Sequence, residues 1–178
     1  MALSSIVKTG HDAGTLQLID GTGTPLTLTV RWDKADLNVG DIAGTMREVV
    51  AVVGRGKLRS LRRGAPKFPS ISFSVHVTEF SETGTGTVLD WEAKKTGTPF
   101  ASRVSTTASI GDADTYHVKF TMEGTTYGDA ADSILQFKDC NGSWSLAEGE
   151  DGNTLSFSGT VYGDITDGTS TVFTAPRG

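Results

Sequence analysis

The sequence predicts a mainly β chain with one short α-helix and extended terminal arms. Three observations carry that prediction. Apolar and polar residues alternate at period two in several segments. Asn-Gly and Asp-Gly pairs fall between those segments, where tight hairpin turns need a positive φ. Glycine is abundant, 22 residues against five prolines, a balance that suits many short strands joined by turns. The 178 residues are read as a single domain, 1–178, long enough to bury roughly two-thirds of its unfolded surface. Residues 1–14 are expected as an N-terminal arm and 165–178 as a C-terminal tail, because both are rich in Gly, Ser and Thr and lack a strong period.

The strands follow in chain order. In PLTLTVRW, Leu26, Leu28, Val30 and Trp32 share one face, with Thr27, Thr29 and Arg31 on the other. In SISFSVHVTEF, Ile71, Phe73, Val75 and Val77 alternate with Ser72, Ser74, His76 and Thr78. Tyr116, Val118, Phe120 and Met122 alternate with polar residues in TYHVKFTM, as do Leu155, Phe157 and Val161 in NTLSFSGTVYG. Such strands pack one face on a core and leave the other wet. Asp20-Gly21 joins TLQLI to PLTLTV. Asn141-Gly142 is expected to separate SILQFKDC from SWSLAEGE, and Asp151-Gly152 to lead into TLSFSGTVY, giving a three-stranded meander over 133–162. Two further strands are expected at 47–53 and 57–63.

One segment has helical punctuation. In TVLDWEAKKTG, Thr87 and Asp90 form a capping box. Lys94 and Lys95 are expected in the last turn, Gly97 as the C-cap, and Pro99 blocks continuation. Val88, Leu89 and Trp91 can then face the core.

Motifs for chemistry are weak throughout. There is no G-x-S-x-G elbow. Gly54-Arg55-Gly56-Lys57 is followed by Leu58, where a phosphate loop needs Ser or Thr for magnesium. The TGTGT run before the helix has Leu89 in place of the third glycine of a dinucleotide fingerprint. His11, His76 and His117 do not share a metal-ligand spacing, and Asp33/Asp36/Asp41 and Asp164/Asp167 lack the pattern of a calcium loop. The single Cys140 precludes an intrachain disulfide and reads as an unreactive thiol in a reducing compartment. Asn141-Gly142-Ser143 matches a glycosylation acceptor but reads better as a turn. The N-terminal residues lack the pattern of a secretory signal, and no segment has the apolar length of a membrane span. The expectation is a non-enzymatic protein with no cofactor, no bound metal and no membrane anchor, made in a cytoplasm.

Charge is the informative feature. The chain has 16 Lys and Arg against 21 Asp and Glu, net −5. Seven of those cations and only one acid, Glu48, lie between Arg47 and Lys67. A nucleic-acid patch is the first reading, but only Phe68 is near for stacking and the acidic remainder repels phosphate. A solvated basic strand is the plain alternative. A third reading uses both signs: a basic end meeting the acidic surface of another copy, a head-to-tail contact that can generate open filaments or tubes rather than closed dimers.

The run EVVAVVGRGKLRSLRRGAPKFPSISFSVHVTEF, then TVLDWEAKKTG, and later ILQFKDCNGSWSLAEGEDGNTLSFSGTVYG, resembles the major tail tube proteins of tailed bacteriophages, related to the tube proteins of contractile injection systems. The resemblance covers residues 48–163. It implies an antiparallel β-sandwich or half-barrel with one short flanking α-helix. It also implies a structural virion protein of the tail that assembles into stacked hexameric rings, a conduit for DNA during ejection. Its partners are then further copies of itself and other tail proteins such as the tape measure and terminator, with viral DNA passing unbound along a polar lumen. On this reading Arg55, Lys57, Arg59, Arg62, Arg63 and Lys67 face an acidic surface of a neighbouring subunit or ring. Two rival functions are a glycan-binding β-module, presenting Trp32, Trp91 or Trp144 as an aromatic platform, and a related single-ring component such as a tube terminator or baseplate protein.

Overall fold

A computed structural model of the chain describes residues 14–30, 32, 36–42, 47–77, 79–107, 113–124, 130–149 and 152–175. It shows a mainly β fold of antiparallel strands with one short helix. The strands are β1 (Gly14–Ile19), β2 (Thr27–Val30), β3 (Asn38–Gly40), β4 (Arg47–Gly54), β5 (Lys57–Pro66), β6 (Ser70–His76), β7 (Tyr116–Met122), β8 (Ser133–Ala147), β9 (Thr154–Val161), β10 (Ile165–Thr166) and β11 (Thr171–Phe173). Among the described residues, nine of them form one sheet in the order β2-β1-β7-β8-β9-β6-β3, with β10 and β11 branching from β8. Strands β4 and β5 form a separate two-stranded sheet.

The alternation in the sequence becomes rows of apolar side chains running across the main sheet. Val30, Leu16, Phe120 and Leu135 are successive cross-strand partners from β2 to β8, and so are Leu28, Leu18, Val118 and Phe137. On the other half, Phe73 pairs with Phe157 and Phe157 with Trp144. All these rows belong to one core, the arrangement of a sheet curled around its apolar face. Side chains such as Leu16, Leu18, Phe137 and Phe157 are fully buried, each worth roughly 1.5–3 kcal/mol against exposure.

The helix α1 (Val88–Glu92) and a 3-10 turn (Pro99–Ser102) cover this core. Trp91, completely buried, meets Phe100 and Tyr116 edge-on at 5.0 and 6.0 Å between ring centroids. The expected capping box is present: Thr87 Oγ1 accepts from the Asp90 backbone N–H, and the Asp90 carboxylate accepts from the Thr87 N–H. The carboxylate does more than cap. It also accepts from Ser81 Oγ and the Glu82 N–H. Burial opposes its charge, yet these hydrogen bonds win and hold its pKa at about 2.

Three expectations are corrected. First, Asn141-Gly142 is not a turn, because β8 runs through it as one 15-residue strand. The strand changes partner there, pairing with β7 up to Cys140 and with β9 from Cys140 onward. Gly142 lies opposite Gly159. A Cβ on Gly142 would come within 2.7 Å of the Phe157 ring and 2.4 Å of the Ser158 carbonyl oxygen. The glycine is required by close approach rather than by turning. The irregularity sits just before it, at Asp139, which has φ 53° and donates its N–H to His117 Nδ1.

Second, the helix stops at Glu92, so Lys94 and Lys95 lie beyond its last turn. Lys94 itself takes the left-handed conformation, φ 46°, ahead of Gly97 at 86°. Third, the expected C-terminal tail is part of the fold. Ile165 and Thr166 pair with Phe137 and Gln136 and are buried, Phe173 pairs with Ile165, and the Ala175 N–H donates to Asp164. A two-residue strand has too short a period to read from sequence. The N-terminal arm lies outside the described residues apart from Gly14, which begins β1. The Asp20-Gly21 hairpin exists, with a longer loop than its dipeptide suggests. Asp20 is buried and organises that loop by accepting from the Thr22 and Leu26 N–H groups and, from across the molecule, the Val104 N–H.

Candidate functional site

The site begins with the apolar run Val49–Val53, which the sequence offers as a strand and the fold leaves uncovered. Its hairpin closes through a two-residue loop, Arg55-Gly56, flanked by the pair Gly54 and Lys57. Both loop residues have positive φ, 53° and 74°, as a type I′ turn demands. Among the described residues the contacts of β4 and β5 are chiefly with each other, and no other element packs extensively on them.

The pairing register sorts the side chains onto two faces. Val49 lies opposite Arg63, Ala51 opposite Leu61 and Val53 opposite Leu58. That face is apolar but for Arg63. Val49, Val53, Leu58 and Leu61 are 59–65% exposed. On the other face Val50 lies opposite Arg62 and Gly54 opposite Lys57. A register shift between Val52 and Val53 leaves Arg59 as the extra residue of β5, and its guanidinium side chain lies over Gly54, within 2.2 Å of where a Cβ would stand. The hairpin therefore has one largely apolar face and one on which Val50 and Val52 stand among the cations.

All six residues singled out in the basic segment are exposed, but they do not form one patch. Lys57, Arg59 and Arg62 share the cationic face, Arg55 sits in the turn, and Arg63 is on the apolar face. Lys67 lies past the hairpin and pairs within its own chain, its Nζ donating to Asp41 at 2.6 Å. The missed signal is the apolar face. A contiguous Val-Val-Ala-Val-Val run reads as a buried strand, and the bulge that selects its faces is set by pairing.

The other candidate groups have structural employment. Trp32 and Trp91 are core residues, and Trp144 is half-buried with its indole N–H shared between Glu92 and Tyr116 Oη, so the three do not make an exposed aromatic platform. Burial raises the Glu92 pKa, against the nearby Arg103 charge and the Trp144 and Tyr116 hydrogen bonds. Arg103, fully buried, stacks over Trp91 and Tyr116, donates Nε to the Trp91 carbonyl and pairs with Asp114. Burial lowers the His117 pKa, partly offset by Asp139, and pushes the Cys140 thiol up. His76 and His117 stand on β6 and β7, which are not neighbours in the sheet; His11 and Asp33 lie outside the described residues. Asp36 accepts from the Trp32 indole and the Ser74 N–H, and Asp167 closes its own turn through the Thr169 and Ser170 N–H groups. Among the described residues no group of three His, Cys, Asp or Glu is placed to hold a metal, and no helix is long and apolar enough to cross a membrane.

A second surface feature is a cleft of about 410 Å³ between the outer edge of β2 and the entry to α1. Thr29, Val30, Val77 and Leu89 line it, together with Glu79 and Glu82. Both glutamates are exposed. Comparison with models of known protein families, with curated proteins and with solved structures finds no match for this chain.

Proposed function

We propose that the chain is a structural subunit that polymerises through its β4–β5 hairpin, and that the polymer is a tube of stacked rings of the phage-tail type. One observation carries the reading: a basic hairpin with four large apolar side chains about 60% exposed on one face and Lys57 and Arg62 beside Val50 and Val52 on the other, on a protein whose remaining charge is acidic. Contiguous exposed apolar surface of this kind marks an interaction site. Opposite net charges on the hairpin and the body favour copy-to-copy contact, and a contact between two different surfaces of one chain is head-to-tail, closing into a ring or propagating as an open polymer according to its rotation. The polar Ser and Thr on the outer faces of β6 and β9 suit a wet lumen wall that does not hold phosphate.

Negative-stain microscopy of the purified chain at high concentration and low salt tests this. Rings or tubes are expected, and they should shorten or vanish in Arg62→Glu/Arg63→Glu. Monomers alone under those conditions overturn the proposal; tubes unaltered by the double reversal remove the two arginines from the contact. Single rings that never stack point to a terminator-like component instead.

A further inference from the structure

We infer that the receiving surface for the hairpin tip is the cleft between β2 and α1 on a second copy. The inference rests on the polymerisation proposed above and names the other half of its contact. Three features of the cleft answer features of the hairpin. Its lining includes the apolar Val30, Val77, Val88 and Leu89 among threonines, matching the uncovered Val53 and Leu58, which face each other across the hairpin next to the turn. Its lining also includes the exposed Glu79 and Glu82, matching Arg55 in the turn and Lys57 beside it. Its wall is β2, paired only with β1 among the described residues, so the backbone on its far side offers donors and acceptors to an incoming strand.

The charges also argue for a second copy as the occupant. A basic tip entering an acidic cleft is attracted at long range and oriented at short range, and both halves are present on every copy. The two surfaces are different parts of the chain, so each subunit can give one hairpin and receive another. Seating Val53 and Leu58 removes from water two side chains that are 59% and 60% exposed in the free chain.

Cross-linking between two single-cysteine variants tests the contact. Cys140 is buried, so the wild-type chain should stay uncoupled under mild oxidation and serve as the background. Leu58→Cys mixed with Thr85→Cys, a residue on the cleft wall, should give a mixed disulfide dimer at low salt. Glu79→Lys/Glu82→Lys should weaken assembly by about a hundredfold or more, because like charges then meet across the contact, and Arg55→Glu/Lys57→Glu in the same chain should restore it. Restoration is an outcome that a merely destabilised fold does not give. Tubes with no mixed disulfide, or tubes indifferent to the glutamate reversal, overturn the cleft as receiver while leaving polymerisation standing. Absence of any assembly in the wild-type chain overturns both.

Discussion

The main sheet and the β4–β5 hairpin are made of the same material and meet opposite fates. Both are antiparallel, and both gather Val and Leu on one face, although the hairpin's other face mixes Val50 and Val52 with its cations. In the main sheet that apolar face is closed by α1 and by the sheet's own curl, leaving Trp91, Phe137 and Val118 without solvent contact. In the hairpin the equivalent face has no layer packed over it among the described residues, and Val49 and Leu61 stay 65% and 63% exposed. Alternation decides that a strand is two-faced. It does not decide whether the second layer comes from the same molecule.

The difference should appear first as a difference in stability. Trp91→Ala removes the ring at the centre of the Phe100, Tyr116 and Arg103 cluster and should cost about 3–5 kcal/mol, read as a shift of the denaturant midpoint. A loss below about 1 kcal/mol would mean the helix is not the lid of the core. Asp90→Asn keeps the size but places an amide nitrogen against donors that need an acceptor, and should cost about 2 kcal/mol at neutral pH. The folded pKa of Asp90 lies near 2, below the ordinary 3.8. Its contribution is therefore present above pH 3.8 and is lost as pH falls towards 2. The variant should lack that part of the acid-unfolding slope; an unchanged slope would assign the acid sensitivity elsewhere.

The smallest effect on stability belongs to the hairpin. Leu58→Ser/Leu61→Ser exposes nothing new and should change unfolding by no more than about 0.5 kcal/mol, while microscopy shows assembly lost. A drop comparable to that of Trp91→Ala would break the comparison, because it would show that the hairpin is packed in the isolated chain.

Much of the fold was legible because local patterns and local structure share a cause. The faces of β2, β6, β7 and β9 follow from period-two alternation, and Thr87 and Asp90 announce a helix start that the backbone must satisfy whatever surrounds it. Asn141-Gly142 misled for a physical reason. A glycine that frees a turn and a glycine that admits an aromatic ring look identical in sequence, and only the neighbouring Phe157 and Gly159 distinguish them. The six cations of the candidate site were legible as a cluster, but their division was not: the bulge at Arg59 and the Lys67–Asp41 pair depend on register and on residues far away in the chain.

What the sequence determined by itself is therefore two-sidedness: which residues of the regular strands β2, β6, β7 and β9 agree on a face, where the helix is capped, and that positive charge is concentrated between Arg47 and Lys67. The tertiary structure alone decided coverage. The conformational cost of folding is offset only where apolar faces find each other, and among the described residues the core is filled by strands β1, β2, β6, β7, β8, β9 and β10 together with α1 and Phe100. That left β4 and β5 outside, their apolar face open to a second molecule.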